Sequence, residues 1–336
     1  MIITKTPFRM SFFGGGTDLE SFFRKHGGAV LSTTFDKYCY VNVRHLPRFF
    51  AWKTELTYSK VEKVLKNEEI IHPTIRNAMQ MLDMQEIRLT YEADLPARSG
   101  LGTSSSFAVG MLNAFYALKG KYADKKKLAD EAIYLERVLC NEAGGWQDQI
   151  AAAFGGMNRI EFCRDGTYDV QPVIIHPDRK RQLNDNLLMF FTGFTRFSSD
   201  MQKVNQQGYD EKEKQLQQMC ALVYDAEKIL EDKYSDLDDF GRLLDITWRL
   251  KRQTGRAITT DSIDALYEKG LKAGALGGKL LGAGGGGFLI FYVQPDKKES
   301  VMSAMNDLMY VPFSFEDGGT KVIHYSPEIY EPRQNR

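Results

Sequence analysis

This 336-residue chain has no paired-cysteine spacing, no long apolar run and no surplus of either charge, and each absence narrows what it can be. Lys plus Arg number 44 and Asp plus Glu 44, so the formal charge is zero. A general attraction to polyanions is therefore missing, and nucleic acid is not expected as the main partner. The four cysteines, Cys39, Cys140, Cys163 and Cys220, lie far apart with no Cys-x-x-Cys, which reads as free thiols in a reducing compartment. The five histidines (His26, His45, His72, His176, His324) are equally dispersed, so no zinc site can be read; each fits a surface or core histidine better than a ligand. No stretch approaches the ~18 apolar residues that a membrane span needs. The apolar start at Ile2 and Ile3 soon meets Lys5 and Arg9, too early for a signal peptide, so a cytoplasmic enzyme without a membrane partner is expected. The length allows one large or two medium domains, and no repeat or low-complexity linker interrupts it.

What the chain does have is glycine in clusters. The most informative stretch runs from Leu95 to Phe107: Pro96, Arg98, Gly100, Leu101 and Gly102 lead into four hydroxyl residues, Thr103, Ser104, Ser105 and Ser106. A helical pattern opens at once, with Phe107, Met111 and Phe115 every four residues. Before the loop, Glu86 to Asp94 alternates Ile87, Leu89, Tyr91 and Ala93 with polar residues, as a half-buried strand does. Strand, glycine loop and helix N-terminus together make an anion site, because unpaired N–H groups and the positive dipole end face outward. An isolated loop of this kind would be read first as an ordinary capped turn. It is not a Walker loop, since no Gly-Lys-Ser/Thr closes it. Gly282 to Gly287 formally reads G-x-G-x-x-G, but the residues after it, Phe288 to Val293, read as a buried strand and not a helix. The polarity is wrong for a dinucleotide fingerprint.

Three segments together resemble one family. Thr6-Pro7-Phe8-Arg9 followed by Gly14-Gly15-Gly16-Thr17-Asp18 is similar to its first motif, Pro96 to Ser106 to its second, and Lys279 to Gly287 to its third. The family is the GHMP kinases, named for galactokinase, homoserine kinase, mevalonate kinase and phosphomevalonate kinase. The motifs come in the family's order and span nearly the whole chain. The Gly-Gly-Gly-Thr-Asp variant and the third glycine run look most like its heptose 7-phosphate branch.

The resemblance implies ATP and Mg²⁺ as cofactors and a phosphate cradle at Pro96, Gly100, Leu101, Gly102, Thr103, Ser104, Ser105 and Ser106. Ser104 matches the hydroxyl on Mg²⁺, and Glu136, in its Glu-Arg-Val context, matches the metal-binding glutamate. By spacing alone, Glu136 shares a helical face with Ala129, Ile133 and Cys140, which a buried salt bridge would explain equally well. Asp148, after the pair Gly144-Gly145, matches the residue that accepts or orients the sugar hydroxyl proton, and Arg9 would stabilise charge on the transferring phosphoryl group. Alone, a turn aspartate and a surface cation would be the better readings of these two. Asp18 matches the aspartate that binds two sugar hydroxyls. Gly15 and Gly16 replace the galactokinases' Glu-His pair and leave room for a longer sugar. Gly282, Gly284 and Gly285 are further candidates for the substrate side. A distal phosphate would need cations that no motif identifies; Arg24, Lys25 and Arg98 are candidates by proximity only.

Along the chain, strands are expected at Val30-Leu31, 38–43, 158–162, 187–191, 288–293 and 321–325. Helices are expected at about 104–118, 125–143, 200–233 and 237–253, with another starting at a capping Asp261. Pro172, Pro177 and the polar run 178–181 suggest a boundary. The expected fold class is α+β with a cleft between two domains; the resemblance implies a ribosomal-S5-like N-terminal domain (1–180) and a ferredoxin-like C-terminal domain (181–336). The expected activity is ATP-dependent phosphorylation of the anomeric hydroxyl of D-glycero-D-manno-heptose 7-phosphate. Alternatives are a kinase of free fucose or galactose, or a silent sensor of sugar and ATP. The partners are then small molecules, with the oligomeric state open.

Overall fold

The structure is a computed structural model describing residues 1–97, 99–193, 209–255, 258–282 and 284–328. Two sheets organise it. The larger has nine strands, built around β1 (Ile2–Phe13) and β2 (Gly28–His45). Its spine runs β13 (Lys321–Tyr325), β1, β2, β5 (Ile87–Ala93), β3 (Thr54–Thr57), β4 (Val61–Val64). β6 (Asn158–Phe162) pairs with the first part of β2 and carries β7 (Tyr168–Pro172), while β12 (Phe315–Glu316) pairs at Phe35 and Thr34. Only β3 and β5 are parallel among these ladders. The strands expected at 30–31 and 38–43 are one long strand. It departs from a regular ladder where Pro7 faces Tyr38 and Phe8 faces Phe35, so a single β2 serves two sets of neighbours.

The smaller sheet is antiparallel in the order β11 (Met309–Tyr310), β8 (Leu187–Phe191), β10 (Phe288–Val293), β9 (Ala275–Leu280). Numbered from β8, that order is 4-1-3-2 with helices between strands one and two and between three and four, which is the ferredoxin-like arrangement. β10 is buried at every residue, as the unbroken run Phe288 to Val293 requires.

The helices are α1 (Glu20–His26), α2 (Pro73–Met81), α3 (Thr103–Leu118), α4 (Lys125–Ile133), α5 (Gln147–Phe154), α6 (Pro177–Asp185), α7 (Tyr209–Glu231), α8 (Asp238–Gln253), α9 (Asp261–Lys272) and α10 (Lys298–Ala304). α3 is buried at nearly all positions because it lies between β1, β2 and the helices α4 and α5. The helix expected over 125–143 ends earlier. It passes at Tyr134–Leu139 into a π-helical turn, and Asn141 takes a φ of 50°. The first part of the 200–233 expectation lies outside the described residues. Asp261 does not cap α9; Thr260 does, accepting from Ile263 N at 3.3 Å, and Asp261 is the first helical residue.

A split at 180/181 does not describe the sheets. β12 and β13 return to the larger sheet from the far end of the chain, and β13 pairs residue by residue with Ile2 to Lys5.

Candidate functional site

Between the two sheets lies a cleft of about 630 Å³. The loop 99–102 feeds α3 into it: Gly102 is left-handed at the N-cap position, and Thr103, Ser104 and Ser105 form the first turn facing the cavity. Gly100 packs against the third glycine motif so closely that a Cβ on Gly282 would lie 2.3 Å from Gly100 Cα. Both positions must be glycine for the two loops to meet. Gly100, Gly102, Thr103, Ser104 and Ser105 line the cleft. The other three cradle candidates do not. Pro96 is exposed outside the cleft. Leu101 is fully buried in the core, and the Ser106 hydroxyl donates to Pro7 O at 2.9 Å. The loop's apolar side chain and a hydroxyl on the inward face of α3 are turned into the protein, and only the first turn of the helix is left for a ligand.

On β1, Arg9 is 4% exposed and spans the cleft floor. Its Nε donates to Asp148 Oδ1 at 2.8 Å, and its Nη1 donates to Gly100 O at 2.7 Å. Asp148 sits in the first turn of α5 with its side chain a quarter exposed, so one face of the carboxylate remains open to the cavity. Asp18 lies beside it. Its Oδ1 accepts from Gly16 N at 2.9 Å and its Oδ2 from Gln147 N at 3.3 Å. Burial, and then the charge of Asp148, push the Asp18 carboxyl up from the ordinary aspartate value. The two acidic groups are thus held differently, one by a guanidinium and one by backbone amides.

Glu136 comes in on the π-helical turn, 1% exposed. Ser104 Oγ donates to its Oε1 at 3.1 Å and Ser105 Oγ to its Oε2 at 2.7 Å, with the Gln149 amide also donating to Oε2. Arg137 is the nearest cation, at 3.9 Å. A buried salt bridge alone does not describe this carboxylate, since hydroxyls from the first turn of α3 donate to both of its oxygens. Ser104 Oγ and Glu136 together are a hard oxygen set on the cavity wall, which suits Mg²⁺. No group of three or more His, Cys, Asp or Glu side chains gathers among the described residues. A cation here would be held by one or two side chains together with nucleotide oxygens and water.

The cleft also holds charges that the motifs did not single out. Lys251, on α8, donates from Nζ to Gly282 O at 2.5 Å. Burial, and then Arg9, lower its ammonium to about 8. Lys279, on β9, donates to Ser11 O at 2.7 Å and Phe12 O at 2.8 Å, and burial takes it well below the ordinary lysine value. Both were visible as charges out of place. Lys251 continues the apolar stripe Phe240, Leu244, Thr247 of α8, and Lys279 interrupts a buried strand. Gln147, Arg137 and Glu142 complete the wall; Glu142 is raised by burial and by the neighbouring Glu136.

Of the substrate-side glycines, Gly15, Gly16, Gly282 and Gly284 line the cleft. Gly285 does not, and its N–H is taken by Ile258 O at 3.0 Å. Gly16 has a φ of 108°, so any side chain there is strained, and its Cβ would meet Leu216 at 3.0 Å. Gly15 is free of both constraints: its φ is not left-handed and the nearest atom to a Cβ is Ser11 Oγ at 3.5 Å. The Arg24 guanidinium pairs with Glu20 outside the cleft, and Lys25 does not line it either. Arg98 lies outside the described residues.

The chain matches the family description "GHMP kinases N terminal domain" over residues 66–156 and "GHMP kinases C terminal" over 225–311. It is 32% identical over 334 residues to the D-glycero-alpha-D-manno-heptose 7-phosphate kinase of Campylobacter jejuni, covering 95% of this chain and 98% of that one. Among solved structures it is similar to a D-glycero-D-manno-heptose 1-phosphate kinase from Bacteroides thetaiotaomicron, with a TM-score of 0.79 at 25% identity over 98% of this chain and 100% of the other. It shares its fold with a Streptococcus pneumoniae phosphomevalonate kinase solved with phosphomevalonate and AMPPNP, with a TM-score of 0.73 at 15% identity over 96% of this chain and 100% of the other.

Proposed function

The chain belongs to the GHMP kinases, and from that premise we propose that it transfers the γ-phosphoryl group of ATP to the anomeric hydroxyl of D-glycero-D-manno-heptose 7-phosphate. The product is the 1,7-bisphosphate, for nucleotide-activated heptose synthesis in the cytoplasm. One observation carries the reading: the Arg9–Asp148 pair faces the hydroxyl-rich first turn of α3 across one cavity, with Asp18 beside it.

Phosphoryl transfer asks the protein mainly for position and charge stabilisation. Asp18 and the open face of Asp148 hold the sugar. Asp148 accepts or orients the proton of the attacking hydroxyl, and Arg9, fixed between Asp148 and Gly100, presents positive charge where the transferring group gains negative charge. The N–H groups of the first turn of α3 cradle the nucleotide phosphates. Ser104 and Glu136 would hold Mg²⁺, which when bound neutralises charge on the nucleotide phosphates.

A phosphoryl-transfer assay over heptose 7-phosphate, heptose 1-phosphate, unphosphorylated heptose, galactose and fucose tests the reading. The expected result is the highest kcat/KM with heptose 7-phosphate. Preference for a free hexose overturns the acceptor assignment. Preference for the 1-phosphate, the substrate named for the Bacteroides neighbour, moves the reacting hydroxyl to the other end of the sugar.

A further inference from the structure

The geometry points to Lys251, assisted by Ser11, as the residue that seats the phosphate group of the acceptor sugar, in the space left open at Gly15. This rests on the proposed acceptor being a sugar phosphate, and the test below separates the two.

Lys251 is 9% exposed, and what remains of its surface opens on the cleft. An ammonium has three protons to donate. Among the described residues, its Nζ has one hydrogen-bond acceptor, Gly282 O, and no carboxylate within ion-pair distance. Beside it, Ser11 is 4% exposed, and its hydroxyl is buried without a hydrogen-bond partner. Both groups converge on Gly15, whose Cβ would stand 3.5 Å from Ser11 Oγ and 4.0 Å from Lys251 Nζ. A side chain is sterically allowed there, so its absence leaves an opening in front of an unpartnered hydroxyl and an ammonium with protons to spare. The Nε2 of Gln147 faces the same spot, 3.8 Å from that Cβ position.

The other basic side chains lining the cleft are already engaged, Lys212 among them. Arg9 is paired with Asp148 at 2.7 Å, and His26 with Glu213 at 2.5 Å. Arg137 donates to Glu142 O and Ala143 O and lies beside Glu136. A phosphate at the His26 end would meet the Glu213 carboxylate. At the Lys251 end it meets an ammonium with Lys279 behind it. Burial and Arg9 lower Lys251 more than the charges of Asp18 and Asp148 raise it, and burial, Lys251 and Arg9 lower Lys279, a strain that an anion relieves. Asp148 is already paired to Arg9, and Asp18 is held by backbone amides.

The test compares Lys251→Met and Lys251→Arg with wild type. KM is measured for heptose 7-phosphate, unphosphorylated heptose and ATP, and heptose 7-phosphate binding is measured calorimetrically without nucleotide. We expect Lys251→Met to weaken heptose 7-phosphate roughly tenfold to a hundredfold, as losing a charged hydrogen bond does. KM for ATP and turnover of free heptose should stay near wild type, and Lys251→Arg should retain most of the affinity. Ser11→Ala should give a smaller loss of the same kind, and it decides the matter if Lys251→Met fails to fold. Equal losses with both acceptors would assign Lys251 to the transferring phosphoryl group, and a raised KM for ATP would assign it to the nucleotide; either overturns the proposal. A wild type indifferent to the acceptor's phosphate defeats the acceptor reading before any variant is made. A wild type that prefers the phosphate and a Lys251→Met that keeps that preference defeats this assignment alone.

Discussion

The two halves of the cleft carry opposite charge. The acidic side chains proposed to act, Asp18, Glu136 and Asp148, all come from the larger sheet and the helices that follow its strands. The ammonium groups of Lys251 and Lys279 come from α8 and β9 of the smaller one. The acidic half is a finished network in which each carboxylate already accepts from a guanidinium, a backbone N–H or a hydroxyl. The basic half is unfinished: its ammonium groups rest on carbonyls and are depressed by burial. A half already satisfied can hold and orient a neutral sugar hydroxyl, whereas an unsatisfied one is suited to an arriving anion. Glycine makes the contact between them, since Gly100 and Gly282 touch where the halves meet.

The largest effect should come from the acidic half. Asp148→Asn keeps the shape but removes the charge facing the hydroxyl, and turnover should fall about 10²–10⁴-fold while ATP still binds. Steady-state rates at saturating sugar, alongside a nucleotide-binding titration, check this; near wild-type turnover would break the assignment.

Next come Glu136→Ala and Ser104→Ala. If they hold one ion, each should raise the Mg²⁺ concentration needed for half-maximal rate, and the double variant should lose much less than the product of the two. Mg²⁺ titrations of singles and double decide it, and unchanged Mg²⁺ dependence in a folded Glu136→Ala returns that carboxylate to a structural role.

A smaller effect tests how Asp18 is held. A Cβ on Gly145 would fall 1.8 Å from Asp18 Oδ2, so Gly145→Ala must displace that carboxylate. Overpacking of this size costs roughly 1–3 kcal/mol. We expect acceptor KM to rise and the Mg²⁺ dependence to stay put, because Glu136 is not touched.

These tests bear mostly on residues that local sequence could announce. Glycine loops, a hydroxyl run and carboxylates beside turns are signals within a few residues of one another, and the α+β class and most elements followed from periodicity. The ferredoxin-like order came only from the family resemblance, because the glycine-rich β9 and the two-residue β11 carry no strand pattern. The strand from Gly28 to His45 read as two pieces, because its middle, Ser32 to Lys37, is polar; there β2 meets β1, β6 and β12 in place of bare core. The π-helical turn that aims Glu136 has no period of its own. Arg24 and Lys25 were near the motifs in sequence yet their helix turns them away, whereas Lys251 is distant from every motif and, like Lys279 at the start of the third, meets the first two only where the two sheets come together. Proximity along the chain is a poor guide to charge in a cleft built from both ends.

The smallest expected effect is one of pH. With Lys251 near 8 in the free enzyme, its charge is complete below that value and is lost as pH rises through it. KM for a phosphorylated acceptor should therefore climb above about pH 8, by at most tenfold per unit, while KM for an unphosphorylated sugar stays level. Lys251→Arg should remove the break, since arginine keeps its proton throughout the range. A flat profile in wild type would mean that the ammonium does not meet the phosphate.

The pairing of β13 with β1 has a consequence for how the molecule is made. Ile2 to Lys5 find their outer neighbour only in residues 321–325, so the strand that carries Arg9 gains this ladder only after more than three hundred further residues have been synthesised. Closing so long a loop is entropically costly and slow compared with the local pairing of β1 with β2. The nascent chain can assemble the hairpin and the phosphate loop early. Until the final strand docks, β1 presents a bare edge of unpaired N–H and C=O groups, open to pairing with another chain. Removing β13 alone would thus spare every residue lining the cleft and still leave an edge on which another chain can pair.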